Sequence, residues 1–164
     1  NSSDLFLLLY GQTRFGLGMG STLALWVGLH LSKIAFSFPG GILSDRLGRR
    51  GVIVAGWAIY ALVYLGMARA EALWQYCALF VAYGSYYGLT EGAEKALVAD
   101  FVPSASRGTA YGLYHGAVGL AALPASVLFG WIWSRAGAGA AFGVGAALAG
   151  LAAVLMVFVP RGDA

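Results

Sequence analysis

Five stretches of this chain, residues 15–32, 51–68, 72–90, 108–134 and 136–160, contain no Asp, Glu, Lys or Arg, and each is at least 18 residues long. A helix that crosses the hydrocarbon of a bilayer needs roughly 20 mostly apolar residues, within a range of about 17–25. The runs do not alternate polar and apolar residues with a period of two, as barrel strands do. Helices also satisfy their own backbone polar groups, which lipid demands. Composition agrees: 60% of residues are hydrophobic and 10% are charged, against about 25% charged in an average soluble domain. A soluble domain of 164 residues could not hide that much apolar surface. The expected fold is therefore an all-α polytopic membrane protein, a single transmembrane domain over residues 1–164. Its helices are expected at 1–13, 21–44, 51–68, 73–100, 108–134 and 139–159, giving five full spans and one partial one. The first reads as lacking its first half, because the chain begins at Asn1 with no initiator Met and no charged flank before the apolar residues 5–10. No signal peptide is visible. Asn1-Ser2-Ser3 fits a glycosylation sequon but falls at membrane depth.

Alternate loops carry unequal basic loads. One side has Arg46, Arg49, Arg50, Lys95, Arg107 and Arg161, and the other has Arg14, Arg69 and Arg135. The positive-inside bias puts the first group, and the C-terminus with it, in the cytoplasm. The expected location is the plasma membrane, of the bacterial inner-membrane kind. The net charge of +3 is accounted for by these membrane-edge residues and does not point to nucleic acid. Short connections make neighbours antiparallel in a compact bundle. Gly84, Gly88 and Gly92 with Ala96, then Gly108, Gly112 and Gly116, then Gly139 and Gly143, form rows spaced by four. Such rows let helix backbones approach closely, or leave smooth faces that slide. Pro39 and Pro124 fall inside expected helices and would kink them.

Ionisable groups at membrane depth are expensive and mark function. Trp26, His30, Lys33 and Ser37 share one helical face with Lys33 near the midplane. That stripe is expected to face a watery cavity or a carboxylate. Asp4 lies ten residues from Arg14, roughly 15 Å deep at 1.5 Å per residue, and is expected to pair with Lys33. Tyr83, Tyr87, Glu91 and Glu94 share a face of the fourth helix. Glu91 is the deeper carboxylate, where desolvation disfavours the charged form, which a proton-coupled carrier could use. Glu94 is expected to neutralise basic residues of the 45–50 segment and Arg107. His30 is a cavity candidate and His115 a packing or capping residue. With Cys77 alone and the two histidines far apart, there is no metal-ligand spacing and no cofactor is expected. A membrane-embedded enzyme would need a nucleophile–base pair or metal cluster that these residues do not supply.

Residues 41–50 read Gly-Ile-Leu-Ser-Asp-Arg-Leu-Gly-Arg-Arg, and they resemble the signature loop of the major facilitator superfamily. That loop joins the second and third helices of each six-helix half, on the cytoplasmic side. A second stretch, Thr90-Glu91-Gly92-Ala93-Glu94-Lys95-Ala96, with Asp100-Phe101-Val102-Pro103 and Arg107-Gly108-Thr109-Ala110, is also similar to the family. The resemblance implies a twelve-helix carrier in two pseudo-symmetric halves, of which this chain looks like the C-terminal one, helices seven to twelve. It implies secondary transport of a small solute by alternating access, coupled to protons, with the absent N-terminal half supplying the rest of the cavity. It also implies a cytoplasmic gate of Gly41, Asp45, Arg46, Gly48, Arg49, Arg50, Glu94 and Arg107. The cavity and coupling residues are then Asp4, His30, Lys33, Ser37, Tyr87 and Glu91. A non-transporting scaffold or sensor on the same fold is the alternative.

Overall fold

The computed structural model describes residues 4–159, and every regular element among them is helical. In chain order they are α1 (Asp4–Phe15), α2 (Met19–Leu47), α3 (Arg49–Arg69), α4 (Leu73–Asp100), a 3₁₀ turn (Ser104–Ser106) and α5 (Arg107–Met156). The Asn1-Ser2-Ser3 run and Arg161 lie outside the described residues. Among those described, α2, α3 and the stretch that includes α5 are long and apolar enough to cross a membrane. α4 is 28 residues long but interrupts its apolar surface with four tyrosines and the Glu91, Glu94 and Lys95 cluster.

Two joints are tighter than the sequence suggested. The signature segment is helical almost throughout: α2 continues through Leu47, α3 starts at Arg49, and only Gly48 lies between. Its φ of 85° and ψ of 140° sit where a Cβ is strongly disfavoured. The other joint is Gly137, at φ 85° and ψ 169°, which breaks α5 into arms over 107–136 and 138–156. The arms run antiparallel: Phe129 lies 5.6 Å from Phe142 between ring centroids, and a Cβ on Gly145 would approach Phe129 at 3.8 Å. Pro39 and Pro124 lie inside α2 and α5, yet the non-helical dihedrals of α5 fall at Gly137.

The core is aromatic. Tyr64, Tyr76, Phe80, Tyr83 and Phe142 are completely buried. Tyr64 meets Phe142 edge-on at 5.4 Å, and Tyr10 meets it at 5.2 Å, the T-shaped geometry that ring quadrupoles favour. The buried hydroxyls find backbone acceptors. Tyr76 donates to the Leu7 carbonyl at 3.0 Å and Tyr10 to the Ala70 carbonyl at 3.3 Å. Tyr76 thereby seats α1, and a Cβ on Gly11 would lie 2.5 Å from its hydroxyl oxygen.

α2 and α4 cross through glycines. A Cβ on Gly84 would lie 2.6 Å from Ser32 Cβ, and one on Gly88 would lie 2.7 Å from the Lys33 carbonyl oxygen. From the other side, a Cβ on Gly40 would lie 2.7 Å from the Gly88 carbonyl oxygen. The row on α4 is engaged at its first two members only, since Gly92 has open space beside it. Gly108, Gly112 and Gly116 are likewise open. In the third row a Cβ on Gly139 would lie 3.4 Å from the Ala68 carbonyl oxygen, whereas one on Gly143 would meet nothing within 4 Å.

Candidate functional site

α1 presents Asp4 in its first turn, where one carboxylate oxygen accepts from the Tyr83 hydroxyl at 2.7 Å and the other from the Tyr87 hydroxyl at 2.9 Å. Both tyrosines lie on α4, one turn apart. The Lys33 ammonium stands 4.1 Å from the centroid of the Tyr87 ring, a cation–π distance. It is also 3.9 Å from Glu91 Oε2, and Glu91 Oε1 lies 3.0 Å from Lys95 Nζ. Asp4, Lys33, Glu91 and Lys95 thus alternate in sign across α1, α2 and α4. Tyr87 is the bridge, with its hydroxyl on Asp4 and its face on Lys33. The sequence pointed to Asp4 and Lys33 as partners; the structure supplies the tyrosine that touches both. Glu91, expected to be desolvated, has a side chain that is 52% exposed and shared between two lysines.

Glu91 and Lys95 open onto a cleft of about 520 Å³ between α4 and the first arm of α5, lined also by Tyr86, Tyr87, Glu94, Tyr114 and His115. His115, expected to pack or cap, is exposed in this cleft beside Tyr114. Tyr114 was not singled out from the sequence, because a tyrosine in an apolar run gives no signal until the helix facing it is known. The rest of the polar stripe on α2 stays apart. His30 is exposed, with Nδ1 2.9 Å from the Trp26 carbonyl oxygen, and Ser37 is exposed. Neither lines the cleft.

The gate differs from its expected composition. Glu94 does not meet the arginines of the 45–50 segment; it accepts from Trp57 Nε1 at 3.1 Å and from the Tyr114 hydroxyl at 2.7 Å, tying α3, α4 and α5 together. Arg49 instead pairs with Asp100 at 2.6 Å and donates to the Ala96 carbonyl. Antiparallel packing explains the exchange, since it brings the start of α3 beside the end of α4. None of the three ion pairs Lys33–Glu91, Arg49–Asp100 and Lys95–Glu91 uses Asp45, Arg46, Arg50 or Arg107. Asp45, Arg46, Gly41 and Arg107 are exposed, and Arg50 is half-buried. Asp45, Arg46, Gly48, Arg49, Arg50 and Asp100 line a common cavity of about 900 Å³. A third, apolar cavity of about 330 Å³ lies among Trp57, Tyr60, Tyr86, Phe129, Ile132 and Leu148. Among the described residues no group of three His, Cys, Asp or Glu is placed to hold a metal ion.

The family model of the Major Facilitator Superfamily matches residues 5–164. The chain belongs to the major facilitator superfamily. Curated relatives agree. An uncharacterised MFS-type transporter, MJ1317, of Methanocaldococcus jannaschii is 36% identical over 84% of this chain and 34% of its own length. The inner membrane transport protein YajR of Escherichia coli is 29% identical over 94% of this chain and 35% of its own. The multidrug resistance protein MdtG of Salmonella typhi is 35% identical over 65% of this chain and 27% of its own. The chain thus spans about a third of the length of the relatives it matches.

Proposed function

We propose that this chain forms a six-helix half of a secondary transporter that carries a small solute by alternating access, coupled to protons. The observation that carries the reading is the sign-alternating set Asp4, Lys33, Glu91 and Lys95, joined through Tyr87 and opening onto the cleft beside the first arm of α5. A lone charge at membrane depth is costly; here each cation is held by an anion on a different helix or the next turn. Protonating Glu91 removes the partner that Lys33 shares with Lys95. The ammonium is then left to the Tyr87 ring and the Asp4 side, and the α2–α4 contact changes. At the cytoplasmic ends, Arg49 and Asp100 are side chains 31% and 25% exposed, so they form a latch rather than a lock. Partly exposed pairs contribute about 1 kcal/mol or less, which suits a contact that parts in each cycle. The open glycines of the first arm of α5 offer a smooth face to the other half of the carrier. The same reading puts the protein in the plasma membrane, multi-pass, with its C-terminus in the cytoplasm, supported by the heavier basic load of the loops on that side.

The test is flux through the full-length protein in liposomes, with a panel of small solutes, with and without an imposed pH gradient. The reading expects gradient-dependent flux that is lost in Glu91→Gln and Lys33→Gln. Flux indifferent to the gradient in wild type and undiminished in both variants would reject proton coupling through this network. Absence of flux for every solute would favour the non-transporting alternative.

A further inference from the structure

The apolar cavity of about 330 Å³ has no part in the transport reading. Its lining comes from α3, α4 and both arms of α5. Tyr60 stands at the centre of α3 and Tyr86 at the centre of α4, so the cavity lies at mid-depth in the bundle. Four rings share the lining: Trp57, Tyr60, Tyr86 and Phe129. So do four small residues, Ala125 on the first arm of α5 and Gly145, Ala149 and Ala152 on the second. Small residues on neighbouring membrane helices ordinarily let the backbones close up; here they border open space. Leu128, Val144 and Leu148, also in the lining, are exposed and aliphatic. They belong to a stretch long and apolar enough to cross a membrane, so at this depth the way in is through hydrocarbon.

The lining also restricts what it can hold. None of its residues is charged, and the Trp57 indole N–H is already given to Glu94 at 3.1 Å. An ionic group would find nothing to pair with, and burying an unpaired charge is costly. The occupant is therefore neutral. Mostly apolar and aromatic cavities of roughly 300–1,000 Å³ are the usual form of small-molecule sites. An apolar cavity of about 150 Å³ takes benzene, so twice that volume has room for a second fused ring. Aromatic guests gain from edge-to-face contact with rings, the geometry in which Tyr60 and Tyr86 already meet at 5.0 Å and 70°. A saturated chain gains only by the area it buries.

We infer that this cavity binds a neutral, flat aromatic molecule of the size of two fused rings, taken up from the bilayer. Tyr86 and Ala125 line the charged cleft as well, and Trp57 holds Glu94, another cleft residue. A bound aromatic therefore presses on the back wall of the cleft without entering it. Binding needs no transport to occur, so the site stands or falls separately from the function proposed above.

The experiment uses the full-length protein in phosphatidylcholine nanodiscs, photolabelled with 1-azidonaphthalene, and the adducts are mapped by peptide mass spectrometry. Adducts should concentrate on Trp57, Tyr60, Tyr86 and Phe129 and saturate as the probe is raised. An excess of naphthalene should lower them at least fivefold, and an equal excess of decane should not. Ala149→Phe, which places a ring in the cavity, should lose them to the same extent, and Ala125→Leu should reduce them from the other arm. The competition arm needs no variant, so a poorly folded one leaves the test standing. Adducts spread over exposed apolar residues such as Leu123, Leu151 and Val154, without saturation, would overturn the inference. Decane competing as well as naphthalene would also overturn it, because the cavity would then be a seat for acyl chains.

Discussion

Replacing Gly88 by alanine tests whether the α2–α4 crossing is fixed by backbone contact. The added Cβ would lie 2.7 Å from the Lys33 carbonyl oxygen, 2.7 Å from Phe36 Cβ and 2.8 Å from the Phe36 carbonyl carbon. Comfortable separations between such atoms are about 3.5–4.0 Å, so the intrusion is on the order of 1 Å. Two of the three obstacles are backbone, and no rotamer change relieves them; the helices must part. Overpacking of this kind costs about 1–3 kcal/mol. Against it stands the gain of about 0.5–1 kcal/mol when alanine replaces glycine inside a helix. Gly92→Ala, one turn along the same helix, meets nothing within 4 Å and keeps the gain without the penalty. The two variants should therefore differ by about 1–3 kcal/mol, with Gly88→Ala the less stable. The assay is unfolding of the full-length protein in mild detergent, read as a midpoint shift for each variant. Because the obstructing carbonyl belongs to Lys33, parting the helices also lengthens the 3.9 Å approach of Lys33 to Glu91, so flux should fall in Gly88→Ala. Equal stability of the two variants would refute the claim that the glycine row sets this crossing.

Tyr87→Phe keeps the ring beneath Lys33 and removes one donor to Asp4, so it should destabilise by about 1.5 kcal/mol, the low end for a hydrogen bond to a charged group, in the same unfolding assay; Tyr87→Leu, which also strips the ring, should do worse. Glu94→Gln and Tyr114→Phe should be non-additive by about 0.5–3 kcal/mol in a double-mutant cycle, since each removes a partner of the other. Asp100→Asn breaks the Arg49 pair and should change stability by about 1 kcal/mol or less while raising cysteine-labelling access where the start of α3 meets the end of α4. Asp45→Asn should abolish flux in liposomes with membrane insertion unchanged.

The charge-free runs made the helical membrane fold legible, and the ten residues at 41–50 made the family legible, because both are statements about order along the chain. What the sequence could not show was which ends meet. Glu94 looks as available to the arginines of the 45–50 segment as Asp100 does when spacing is the only guide. Antiparallel register decides for Asp100, and only packing reveals it. Lys33 and Asp4 were legible as costly charges, but Tyr87 as their common contact requires three helices to be placed at once. His115 and Tyr114 become cleft residues only when the first arm of α5 is laid against α4. Gly48 and Gly137 were visible as glycines near expected boundaries, yet nothing in the run of residues says that each is the whole of its joint.

The joint at Gly137 has a consequence for how the protein is made. The arm before it covers residues 107–136 and the arm after it residues 138–156, so one residue is all the chain that turns between them. No stretch is left over to wait in water while the first arm settles in lipid. The two arms must enter the bilayer as a hairpin, already antiparallel, with Phe129 and Phe142 in reach of each other before α3 is engaged. Inserting a single residue at the joint would rotate the second arm by about 100° for a helix of 3.6 residues per turn and swing Phe142 off the aromatic core. The biogenesis of this half is thus governed by a backbone angle that glycine alone adopts without strain.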